Sequence, residues 1–66
     1  MPHNIDELVT MIAKRDNISE NDARILVEDT ARELEWAFQS GTLEDIEDIM
    51  REELGLEPDY LDLFIY

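Results

Sequence analysis

The stretch from Ser19 to Gly41 limits the fold more than any other part of the chain, because it carries a helical repeat without a break. Ala23, Leu26, Val27, Thr30, Ala31, Leu34, Ala37 and Phe38 recur at steps of three and four, which puts them on one broad face of an α-helix. Ser19 stands at the N-cap position, with Asp22 three residues on in the place of a capping-box acid. No proline interrupts the run, and Gly41 is expected to stop it in a left-handed conformation. A helix over 20–40 would be about 30 Å long, enough to span a small domain. Shorter neighbours therefore have a surface to pack on.

Those neighbours are legible from their caps. Asn4 opens a first helix with Glu7 in the capping-box position; Ile5, Leu8, Val9 and Ile12 form its apolar face, and Lys14 and Arg15 meet the negative end of its dipole. Asp16 and Asn17 break it, and Ile18 is placed to staple back onto the long helix. Thr42 caps a third helix with Glu44 and Asp45 in its first turn; Leu43, Ile46, Ile49, Met50 and Leu54 line one side, and Gly55 ends it with Leu56 tucked beneath. Pro58 suits the first turn of a short last helix, because its missing N–H would have no helical partner there. Tyr60, Leu61, Leu63, Phe64, Ile65 and Tyr66 are too apolar for open solvent, so this tail is expected to close the core. No segment alternates as a strand would. The expected fold is all-α: one domain over residues 1–66, a small bundle with helices over about 4–16, 20–40 and 43–54 and a C-terminal helix over about 58–64.

Charge is the outlying property. Eighteen acids against five bases leave a net −13, and nine of the acids fall after Ser40, where Arg51 is the one base. A field of that sign repels nucleic acid and anionic lipid and favours a basic protein partner. No apolar run approaches the ~20 residues that cross a bilayer, and the N-terminus lacks the regions of a signal peptide, so no membrane contact and a cytoplasmic location are expected. Without cysteine there is neither a disulfide nor a thiolate site.

Chemistry is hard to assemble from these residues. His3 lies near the terminus, Ser19 and Ser40 are accounted for by the ends of the long helix, and no nucleophile and base pair by spacing. The chain is expected not to be an enzyme and to need no cofactor. A calcium loop fails on register: Asn17, Ser19 and Asn21 alternate and Glu28 falls at the twelfth place, but the sixth place needs glycine and holds Asp22. No metal site is expected.

Two surfaces remain. Glu44, Asp45, Asp48 and Glu52 stripe the third helix, ordinarily a solvated outer face, alternatively a row of charge that imitates nucleic-acid phosphates. On the long helix, Ile25 and Trp36 lie within about 20° of each other and opposite the main apolar face, with Asp29 and Arg32 between them. The expectation is that the tail, through Phe64 and Tyr66, wraps over this side and buries it; the alternative is an exposed interface, where Trp and Arg are enriched.

The entry Gly41-Thr42-Leu43-Glu44-Asp45 and the exit Leu54-Gly55-Leu56-Glu57-Pro58-Asp59-Tyr60, together with the capped Ser19–Leu34 helix, resemble small acidic helical proteins of unassigned function encoded on bacterial plasmids, prophages and other mobile elements. That resemblance implies bacterial origin and an accessory role, and it brings no catalytic residues. The functional expectation is a non-enzymatic protein–protein interaction or regulatory module using Ile25, Arg32 and Trp36, the acidic third helix, or both. The alternatives are a nucleic-acid mimic that occupies the basic site of a DNA-binding protein, and a purely structural homodimer.

Overall fold

The structure, a computed structural model, describes residues 2–65. Three helices follow the caps: α1 (Ile5–Asp16), α2 (Glu20–Ser40) and α3 (Leu43–Ile49), the last continuing through a π turn at Met50–Leu54. A 3₁₀ turn at Pro58–Leu61 leads into the short α4 (Asp62–Ile65). There is no strand among the described residues. The long axis of the molecule, 32 Å, is essentially the length of α2.

Each cap works through a side-chain oxygen accepting an orphan amide. Asn4 Oδ1 takes the Glu7 N–H at 2.9 Å and Ser19 Oγ the Asp22 N–H at 3.0 Å. At α3 the box is reciprocal: Thr42 Oγ1 accepts from Asp45 N–H, and Asp45 Oδ2 accepts from Thr42 N–H, both at 3.2 Å.

The helix ends differ from expectation in one place. Gly41 ends α2 in an extended conformation, φ −102° and ψ −176°, and not in the left-handed one. Its lack of a side chain matters for space: a Cβ there would stand 3.0 Å from the Ala37 carbonyl oxygen, which the Gly41 N–H already engages at 2.7 Å. The left-handed ends belong to Asn17 (φ 55°) and Gly55 (φ 65°). After Asn17, the Ile18 N–H reaches the Ala13 carbonyl at 3.0 Å, so Ile18 closes α1 with its amide while its side chain stays partly in water.

Leu8, Val9, Ile12 and Ala13 of α1 meet Ala23, Val27, Leu34 and Ala37 of α2, and Ile46, Met50, Leu54 and Leu56 complete the core. Thr30 is the one buried polar side chain among the described residues, and its hydroxyl donates to the Leu26 carbonyl at 2.8 Å. The π turn has a packing reason. Ile46, Met50 and Leu54 are spaced by four, and each such step in an α-helix rotates the side chain by about 40° away from the core. The wider turn takes up that drift and brings Leu54 back inside.

Three expected core residues lie outside. Phe38 is 43% exposed, Leu43 66% and Ile65, at the end of the tail, 56%. Phe38 sits at the edge of the α2 apolar arc, and Leu43 at the first position of α3, before the helix has turned toward the core. The tail does close the core in part: Tyr60, Leu61, Leu63 and Phe64 pack half-buried against it. Its course is the second correction. Tyr60 Oη stands 4.0 Å from Met11 Sδ on α1, and Phe64 and Ile65 border Ala31 and Phe38 on α2. The tail is spent along the α1–α2 seam and does not wrap the back of α2. Tyr66, expected to help in that cover, lies outside the described residues.

Arg15 stands in the last turn of α1. Its guanidinium grips Asp16 twice, Nε to Oδ1 at 2.8 Å and Nη2 to Oδ2 at 3.1 Å, and it lies on the side of Gly55 where an added Cβ would stand 3.7 Å from it. Hydrogen bonding to Asp16 holds the Arg15 proton more tightly than usual, and the same bonds hold the Asp16 carboxyl below its ordinary range.

Candidate interaction face

α2 carries its core residues on one side, so the same helical period aims Ile25, Asp29, Arg32 and Trp36 the opposite way. Ile25 is 50% exposed and Trp36 70% exposed. The expected burial beneath the C-terminal segment is therefore overturned: α3 flanks this face on one side, the tail on the other, and neither covers it. Arg32 pairs with the Asp29 carboxylate one turn earlier, which nearly cancels the charge in the middle of the face.

The face continues into a groove between two helices. Arg32, Glu33 and Trp36 of α2 and Ile49 and Glu53 of the third helix line a cavity of about 510 Å³. On the far side of Arg32, Ala31, Glu35 and Phe38 meet Phe64 and Ile65 around a second groove of about 540 Å³. A third, about 590 Å³, runs along α1 between Pro2, Thr10, Met11 and Tyr60. There the Thr10 hydroxyl is engaged with the Asp6 carbonyl and the Glu20 carboxylate, and Asp6 pairs with Arg24 at 3.1 Å.

The acidic stripe is less uniform than its spelling. Asp45 is committed to the Thr42 capping box and Asp48 to Arg51, which leaves Glu44 and Glu52 as outward charges. Among the described residues no three acidic or imidazole side chains converge as metal ligands would. Every arginine of the chain is held by an aspartate: Arg15 by Asp16, Arg24 by Asp6, Arg32 by Asp29 and Arg51 by Asp48. The remaining acids are the source of the strong negative field.

Ile25 and Trp36 are legible in the sequence; Ile49, expected on the apolar side of the third helix, packs half-buried against the core and also lines the groove beside Glu53. A signal for Ile49 was present. With Ile46, Met50 and Leu54 taken as the buried line, Ile49 falls about 100° from its centre, on the shoulder of the helix. What the arrangement presents chemically is an aromatic and aliphatic surface bordered by carboxylates. No family model, curated protein or solved structure matches this chain.

Proposed function

We propose that this is a non-enzymatic, acidic protein-interaction or regulatory module that binds a basic partner protein through the back of α2, with Trp36 as its anchor. The observation that carries the reading is the placement of the chain's single tryptophan. It is 70% exposed, and it stands beside Ile49 and not alone among charges. Trp is among the residues that most often dominate binding energy, and its apolar surface in water is a standing cost that a partner removes. The net charge of −13 selects that partner by sign and speeds encounter with it. The resemblance to proteins of bacterial mobile elements supports an accessory role in the bacterial cytoplasm.

Nucleic-acid mimicry is the weaker reading, because two of the four carboxylates it would use are already engaged by Thr42 and Arg51. Affinity capture from a bacterial lysate with wild-type and Trp36→Ala baits, each washed at 50 and 200 mM salt, tests the proposal. A partner retained by wild type through the salt step and lost with Trp36→Ala supports it. Retention indifferent to Trp36 and collapsing with salt would sink it in favour of the mimic, as phosphate-like contacts behave. A Trp36-dependent dimer in sedimentation would replace the foreign partner with a second copy.

A further inference from the structure

We infer that the groove between α2 and the third helix is built to receive a cationic amphipathic helix of about three turns; this rests on the reading of Trp36 as a binding anchor and names its occupant. Each wall contributes one apolar side chain and one carboxylate, Trp36 with Glu33 and Ile49 with Glu53. Their order is matched. α2 runs toward the Gly41–Thr42 connection and the third helix runs away from it, so Glu33, three residues before Trp36, and Glu53, four residues after Ile49, both lie one turn farther from that connection than their apolar neighbours. The groove is thus apolar at one end and negative about 5 Å along. An α-helix offers the complement when an apolar side chain is followed by Lys or Arg at i+3 or i+4.

Length and charge narrow the occupant further. The third helix with its π turn, Leu43–Leu54, spans about 18 Å, which limits the contact to roughly three turns. Arg32 at the groove wall is neutralised by Asp29, whereas neither Glu33 nor Glu53 takes part in an ion pair among the described residues. A second copy of this chain fits poorly, since it brings another −13 and its arginines are already paired. A basic helix meets two free carboxylates and lays a cation near the Trp36 ring.

The test uses the full chain and a tryptophan-free, 14-residue Leu/Lys amphipathic helical peptide at 150 mM salt. Trp36, the only tryptophan, reports its own cover by fluorescence. The expected result is a saturable blue shift with one peptide bound, absent with the Leu/Glu isostere. By calorimetry, Glu33→Gln with Glu53→Gln should weaken binding at least tenfold, whereas Glu7→Gln with Glu57→Gln, which removes the same charge elsewhere, should change it less than twofold. Equal weakening by both pairs, an unmoved emission spectrum, or equal binding of the Leu/Glu peptide would overturn the inference. If any of these occurs while Trp36→Ala still abolishes partner capture, the occupant is wrong and the broader reading stands; if capture is also unchanged, both fall.

Discussion

Trp36 and Leu34 sit two residues apart on one helix, yet truncating each to alanine should cost very different amounts of stability. Leu34 is fully buried, so its loss removes the transfer energy of the side chain and leaves a cavity, together about 3 kcal/mol. A domain of 66 residues has a total stability of roughly 3 to 10 kcal/mol, so Leu34→Ala consumes a large part of it. Trp36 keeps 70% of its surface in water. At most about 75 Å² of a large aromatic is shielded, worth under about 2 kcal/mol at ~25 cal/mol per Å². Alanine recovers about 0.5 kcal/mol of helix propensity, which leaves a net loss near 1 kcal/mol. At about 4–8 °C per kcal/mol, Trp36→Ala should melt within about 8 °C of wild type, and Leu34→Ala at least about 12 °C below it. Thermal unfolding followed by far-UV circular dichroism measures both. Wild-type Trp36 emission should also resemble that of indole in water. A Trp36→Ala loss of 3 kcal/mol or more would mean that the ring is covered within the monomer, and the interaction face would then have no anchor.

Four further outcomes follow from particular contacts. Thr30→Val should raise stability by about 0.5–1 kcal/mol in urea titrations: the buried hydroxyl bonds only a carbonyl that the helix already serves, and a methyl in its place gains apolar burial. Gly55→Ala should cost about 1–2 kcal/mol through its positive φ alone, because a Cβ there meets nothing closer than 3.7 Å; an unchanged urea midpoint would contradict the left-handed stop. Asp16 has a folded-state pKa below its unfolded one, so its pair with Arg15 stabilises fully above the ordinary carboxylate range near pH 4 and loses that contribution as pH falls through the folded value; a carboxyl NMR titration should show the midpoint return toward normal in Arg15→Gln. Added salt should raise the melting temperature, since 18 acids repel one another across a surface with five bases; a melting point indifferent to ionic strength would mean that the charges are balanced locally.

Helices were legible in the sequence because their causes are local. Asn4, Ser19 and Thr42 cap through bonds to amides three residues away, and the apolar period of Ala23–Val27–Leu34 follows from the rise and twist of a single rod. The back position of Trp36 was equally local, a matter of angle around one helix. Its cover was not. Whether the tail reaches that side depends on where Tyr60 and Phe64 find neighbours, and Met11, Ala31 and Phe38 lie far from them along the chain. The extended stop at Gly41 depends in the same way on crowding at the turn into α3, and the π turn on keeping Leu54 aligned with a core built by other helices. Periodicity and capping chemistry thus determine which helices form and which way each side chain leaves its own axis. Only the packed molecule decides which of those outward directions stay in water, because that follows from distances between segments that no local pattern encodes.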